Sequence, residues 1–220
     1  MHDVLAAFEA ESAALSDAMS TVDDAGWARP SPCPPWSVAG LFGHVIVTVD
    51  RVPGMLRADA PPAATVDATG YYRPGERFSA ATNATRIAVG EDRAALPGPS
   101  LVTEFTTISG YVVRLCRQES AGRVVRTRHG DAMTLTDFML TRVVEVAVHG
   151  IDLAAALDRP AWTTPEAASA VSGLLLGGDG PAPLGWDRLT FLRKATGRAR
   201  MTEGERDAVA RGGIRWLALG

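Results

Sequence analysis

The chain has 220 residues, 46% of them hydrophobic and 21% charged, with a net charge of −3. That length supports one substantial core, or a main domain with a small appendage, and the composition is ordinary for a soluble globular protein. No Lys/Arg stripe dominates any segment, which argues against a nucleic-acid partner, and no run approaches the roughly 18 consecutive apolar residues of a membrane span.

The first expected element is a helix over residues 3–21, with apolar positions at Val4, Leu5, Phe8, Leu15 and Met19. Acids interrupt its apolar pattern, so it reads as an amphipathic helix and not as an export signal. Cys33 and Cys116 are the only cysteines; two in a chain of this size make no disulfide framework, and the expected setting is reduced and cytoplasmic. Asn83-Ala84-Thr85 matches a glycosylation sequon, which carries no meaning without export.

Residues 23–36, DDAGWARPSPCPPW, read as a proline-dense loop. Ser37 then caps a second helix, which Pro53-Gly54 is expected to kink or end. Residues 58–76 read as a linker, 77–95 as a third helix, 96–100 as a break and 101–119 as a fourth helix. Residues 123–135 alternate enough for a short extended excursion that turns near Gly130-Asp131. Thr136-Asp137 opens the next helix, which runs to about Leu157. Thr164 and Pro165 form an N-cap and first-turn pair for another. After a glycine-rich break at 176–185, residues 186–196 are helical and closed by Gly197, and Thr202 with Glu205 fits a capping box. The glycines of that break lack the preceding strand that a nucleotide-binding loop needs. The pattern predicts an all-α protein: a four-helix bundle in residues 1–160, with long connections, and a helical extension in residues 161–220 packed on it.

One stretch demands chemistry. Within RVVEVAVHGIDL (142–153), Arg142, Glu145, His149 and Asp152 fall on one helical stripe, and apolar residues fill much of the remaining circumference. A buried carboxylate is costly unless it is paired or holds a metal. His44 sits mid-helix on an inward face. With Glu145 and His149 it offers two imidazoles and one carboxylate from two helices that can face each other. Three protein ligands leave open coordination positions, as catalytic sites do. Zn²⁺ is the first expectation, with Fe²⁺, Ni²⁺ and Mn²⁺ compatible. Asp152 would orient His149 and Arg142 would steady Glu145 from behind. The plainer reading of the same spacing is two intrahelical pairs, Arg142–Glu145 and His149–Asp152.

Two segments, SPCPPWSVAGLFGHV (31–45) and RHGDAMTLTDFMLTRVVEVAVHGIDLAAAL (128–157), resemble the hallmark segments of the mycothiol-dependent maleylpyruvate isomerase family, within the DinB-like metal-binding four-helix bundles. Trp36, the histidine eight positions later and the R-x-x-E-x-x-x-H-x-x-D-L block carry the match, and LGWDRLTFLRKATGR (184–198) is similar to the family's C-terminal region. The resemblance implies that His44, Glu145 and His149 are metal ligands. It implies that mycothiol binds there as thiolate and adds to an electrophilic small molecule. On this basis Glu145 and His149 are the expected catalytic residues. The name-giving isomerase has an extra C-terminal domain, whereas this chain stops at Gly220 soon after the bundle, so its substrate need not be maleylpyruvate.

Other residues are weighed against plainer roles. His129, in the loop TRHGD, and Arg198, in the tail, are candidates for thiol or substrate contact; a polar turn and a solvated basic face are the alternatives. Arg193 and Arg200 share the second alternative. Cys33 reads as a small hydrophobe packed in its loop rather than a fourth ligand. Trp36 reads as a core anchor. Tyr71 and Tyr72 would line an entrance. Two rival functions stay open: a hydrolase or lyase using metal-bound water, and a non-enzymatic binding module. The expected partners are a low-molecular-weight thiol and a small electrophile, with the protein a monomer or homodimer.

Overall fold

The computed structural model describes residues 1–73, 79–177, 184–214 and 216–217. Four long helices form a closed ring: α1 (His2–Ser20), α3 (Val38–Arg57), α6 (Gly98–Gln118) and α7 (Leu135–Ala156). α1 packs on α7, α7 on α3, α3 on α6 and α6 on α1. Phe8, Phe42, Phe105 and Phe138, one from each helix, are fully buried between them. Such a ring buries one apolar stripe per helix, which is what the sequence periodicity supplies.

The ends of these helices follow local chemistry. The Ser37 hydroxyl accepts a hydrogen bond from the Gly40 N–H at 3.1 Å and starts α3. Of the two outcomes expected at Pro53-Gly54, a kink or an end, the helix does not end there: α3 continues to Arg57, with Val52 and Pro53 both buried. Packing there outweighs the one backbone bond that proline removes. α7 begins at Leu135, before the expected Thr136, because Thr134 caps it by accepting from the Asp137 N–H at 3.0 Å. The cap doubles as the last residue of a strand. β1 (Val124–Arg126) and β2 (Ala132–Thr134) form a small antiparallel hairpin in which Val125 faces Met133. Gly130, at φ +90, closes its turn and leaves Arg128 and His129 at the tip.

Two connections hold helices that the sequence did not announce. Asp23 caps α2 (Asp24–Trp27) inside the proline-dense loop, and Asp67 caps α4 (Ala68–Tyr71) inside the 58–76 linker. That linker also pairs with the hairpin, since the Thr65 N–H donates to the Ala132 carbonyl at 2.7 Å. α5 (Ala80–Ala94) begins three residues later than expected; residues 74–78 of the expected linker and helix lie outside the described residues. α5 stands outside the ring, against α3. A Cβ on Gly43 would come within 2.7 Å of the Gly90 carbonyl oxygen, so glycine at both positions lets the two backbones touch. Arg93 of α5 pins the corner by pairing with Asp50 of α3 and Glu104 of α6.

The C-terminal part packs on this frame. α8 (Pro165–Leu176) lies against α1 and α7, with Thr164 as its N-cap. The buried Glu11 carboxylate of α1 accepts from both the backbone N–H and the hydroxyl of Thr164, each at 2.7 Å. α9 (Arg188–Ala195) packs on α8, and α10 (Glu203–Arg211) carries the expected capping box between Thr202 and Glu205. Residues 178–183 of the glycine-rich break lie outside the described residues. Gly197, at φ +75, turns the chain after α9 and points Arg198 back toward α7. No described helix is long and apolar enough to cross a membrane.

Candidate active site

The α7 stripe meets α3 where both helices line one cavity. Glu145 Oε2 lies 3.4 Å from His44 Nε2 and 3.5 Å from His149 Nε2. One donor atom from each of these three residues falls within 4.8 Å of the other two. The two imidazole rings stand edge to face, with centroids 5.2 Å apart. Trp36 stacks on the opposite face of His44, at 4.7 Å between centroids. It is thus buried as expected, yet it also orients a site residue.

Each of the three has a support. His149 Nδ1 lies 3.1 Å from Asp152 Oδ2, which leaves Nε2 facing the cavity. Asp152 is 2% exposed, and Arg198 grips it with both carboxylate oxygens engaged, Nε to Oδ1 at 3.0 Å and Nη2 to Oδ2 at 2.9 Å. The Cys33 thiol also donates to Asp152 Oδ2, at 3.3 Å. Cys33 is therefore more than a packed hydrophobe: with His149 and Arg198 it is a third partner of Asp152, the group that orients His149. Arg142, 2% exposed, donates to the Thr48 carbonyl at 3.0 Å, lies over the Phe138 ring and reaches to 3.8 Å from Glu145 Oε1.

The electrostatics follow from these contacts. Burial pushes the His44 imidazole down to about 4, against the pull of Glu145, so this ring is neutral at pH 7 and able to donate a lone pair. Burial opposes the Glu145 charge, but hydrogen bonds from His149 and His44 and the Arg142 charge outweigh it and hold the carboxyl well below its usual range. His149 is also opposed by burial; Asp152, Cys33 and Glu145 outweigh that and hold it well above its usual value. An anion between two imidazoles, one of them drawn toward protonation, is a donor cluster arranged around a missing positive charge. Two nitrogens and one oxygen at this spacing fit a divalent cation such as zinc.

The cavity encloses about 380 Å³. His44, Glu145 and His149 form one part of its wall, and Tyr71, Tyr72 and His129 another. Arg198 lines it too, but its guanidinium is committed to Asp152. Arg193 lies on a separate groove beside Cys33. Three further lining residues have no place in the sequence reading: Arg51, Arg86 and Arg128. The signal for Arg51 was present, since His44, Thr48 and Arg51 share one face of α3 at i, i+4 and i+7. Arg128 adjoins His129 at the hairpin tip. Arg86 follows Asn83 by one turn and accepts orientation from it, Nη1 to Oδ1 at 3.0 Å.

Comparison with solved structures gives the same fold. The crystal structure of the mycothiol-dependent maleylpyruvate isomerase overlays with a TM-score of 0.56 at 17% identity, over 90% of this chain and 89% of that one. A mutant of that enzyme overlays with a TM-score of 0.53 at 18% identity, over 81% of this chain and 72% of that one. The longer overlay extends past residue 154 into the C-terminal helices. At these identities the likeness speaks for the all-α, DinB-like bundle alone. A search of curated proteins finds no match. The sequence itself matches the family described as the mycothiol maleylpyruvate isomerase N-terminal domain over residues 8–154. That stretch holds all three clustered donors, and the chain belongs to this family.

Proposed function

We propose that the protein is a thiol-dependent transferase or isomerase that uses a divalent cation, zinc by its donor set, held by His44, Glu145 and His149. Mycothiol is the thiol the family points to. The observation that carries the proposal is the convergence of two imidazoles and one carboxylate at the wall of a cavity large enough for a small reactant. A bound divalent cation deprotonates a coordinating thiol and so supplies a strong nucleophile at neutral pH.

The chain's own residues prepare that chemistry. Asp152 fixes the His149 ring so that Nε2 meets Glu145 and His44. Trp36 fixes His44 by stacking, and Arg142 limits rotation of Glu145. Glu145 and His149 are the residues we assign to catalysis, because they hold the reacting centre directly. The thiolate sulfur forms a bond to an unsaturated electrophilic carbon of the second reactant as that carbon's π bond opens and its electron pair moves onto the conjugated carbonyl; the pair returns when the C–S bond breaks again, or takes up a proton when the bond persists. If that bond later breaks, the product is an isomer; if it persists, the product is a thioether. His129 and Tyr71 stand at the mouth, where the second reactant enters. Arg198 acts through Asp152, as a positioning residue, and not on the thiol. On this reading residues 1–160 are the bundle that holds the site, and residues 161–220 an extension that locks it.

The test is cobalt substitution followed by titration with mycothiol. A sulfur-to-cobalt charge-transfer band in the wild type, absent in Glu145→Ala, is the expected result. Turnover of an electrophile that proceeds unchanged without any thiol would instead assign the site to hydrolysis or elimination.

A further inference from the structure

The groove that holds Arg193 and Cys33 has no part in that chemistry. It encloses about 420 Å³ and shares only Arg198 with the wall of the candidate active site. Three parts of the chain build it. The proline-dense loop brings Cys33, α7 and the turn after it bring Asp152 and Arg159, and α9 with its exit turn brings Arg193 and Arg198.

Charge in this groove is one-sided. Among the described residues Asp152 is the only carboxylate that lines it, and Arg198 neutralises that carboxylate. Arg159 donates only to neutral acceptors, the Ala18 and Thr21 carbonyls and the Thr21 hydroxyl. Asp158, its neighbour in sequence, is taken by Arg29. Arg193 is exposed and makes no ion pair among the described residues. Two guanidinium charges from different elements are thus left over around one concave surface, where their field attracts an anion. The groove's volume lies in the range that holds a small organic molecule.

The same groove holds a nucleophile. Cys33 is half-buried, and its Sγ–H donates to Asp152 Oδ2 at 3.3 Å, so the sulfur is held in a cluster with Asp152 and Arg198. Cys116 is the contrast: it is buried, and burial pushes its thiol up to about 12. Reactive cysteines occupy partly exposed, electropositive surroundings, whereas structural buried ones are inert. Of the two thiols, only Cys33 meets that condition.

We propose that this groove is a thiol-modification site for low-molecular-weight disulfides that carry negative charge. Arg159 and Arg193 hold the disulfide while Cys33 attacks it. The Cys33 sulfur gives its proton to solvent and bonds to one sulfur of the disulfide; the S–S bond breaks and the other half leaves as thiolate. The disulfide is itself the oxidant. The adduct takes away the Sγ–H donor to Asp152, the group that orients His149. The site stands or falls independently of the proposed function.

The test compares two disulfides on the metal-loaded protein at low ionic strength: dithiobis-nitrobenzoate, which is a dianion, and dithiodipyridine, which is neutral. Each rate is divided by the same reagent's rate with free mercaptoethanol, which removes intrinsic reactivity. A single thiol per chain is expected to react, with peptide mapping placing the adduct on Cys33. The normalised rate for the dianion should exceed that for the neutral disulfide by about tenfold. Arg159→Gln/Arg193→Gln should bring the two rates together, and Arg159→Lys/Arg193→Lys should keep most of the difference. Arg193 is exposed, so Arg193→Gln alone keeps the fold and should lower the ratio. Cys33→Ser should take up neither reagent. A ratio near unity in the wild type overturns the proposal, as does a ratio that ignores the double variant, an adduct on Cys116, or a Cys33 that reacts only after the protein is unfolded.

Discussion

Asp152→Asn isolates the link between the C-terminal tail and the site. The wild-type carboxylate is 2% exposed, receives two bonds from Arg198 and sits 3.1 Å from His149 Nδ1. Removing one partner of a buried ion pair costs about 3–5 kcal/mol. The Arg198 side chain is 23% exposed and can turn its head to water, so the lower end applies, about 3 kcal/mol. For a chain of this size that is a fall in Tm of roughly 6–12 °C. The pH dependence has a definite sign in metal-free protein. Asp152 is held below its ordinary 3.8, so its contribution is complete above that pH and is lost as pH falls through the lower folded value. His149 is held above its ordinary 6.5, so its contribution is complete below that pH and is lost as pH rises through the folded value. The gap in Tm between wild type and variant should therefore be widest between these two ordinary values. Thermal unfolding followed by circular dichroism, on metal-free protein across pH, measures it. A gap under about 2 °C at every pH would refute the reasoning, because it would mean that Arg198 and His149 find equal partners in solvent.

Four other outcomes follow from the same geometry. His149→Ala should purify with little metal where wild type carries nearly one ion per chain after incubation with Zn²⁺, as read by mass spectrometry. Arg142→Met should lose about 3 kcal/mol in urea unfolding, since it removes a buried bond to the Thr48 carbonyl and the cation beside Glu145. Cys33→Ser should keep full metal content and activity, because the thiol contacts Asp152 on the side of His149 remote from Glu145; loss of metal would make Cys33 a ligand after all. Gly43→Ala should cost about 1–3 kcal/mol, as its new Cβ, 2.7 Å from the Gly90 carbonyl oxygen, forces α5 away from α3.

The clustered donors were legible because their signals are local. Three and four residues along one helix fix a stripe, and an inward histidine on a second apolar helix supplies its partner. The caps at Ser37, Thr164 and Thr202 were legible for the same reason. What escaped was non-local. Arg198 reads from sequence as a thiol or substrate contact or as part of a solvated basic face; only Gly197 and the packing of α9 on α8 deliver it to Asp152, 46 residues away in sequence. Cys33 is 119 residues from the carboxylate it meets. Arg51 and Arg128 become a pair only after the hairpin folds over α3. The helix α5 was visible as a helix, but its place outside the ring depends on a contact between Gly43 and Gly90, and glycines at two separate positions do not announce that they touch.

The grip of Arg198 on Asp152 also orders events on the ribosome. A growing chain presents His44, then Glu145 and His149, and only much later Arg198. Segments nearer the N-terminus fold first during synthesis. The ring of four helices is thus complete while Asp152 still lacks its guanidinium, and the nascent bundle holds that carboxylate with only His149 and Cys33 as partners. A transcript broken between α8 and Arg198 would encode every donor of the cluster and still yield a strained product, open to cellular proteases. The tail thus ties the site to a late-made residue: Asp152 gains its guanidinium only in chains that extend past Arg198.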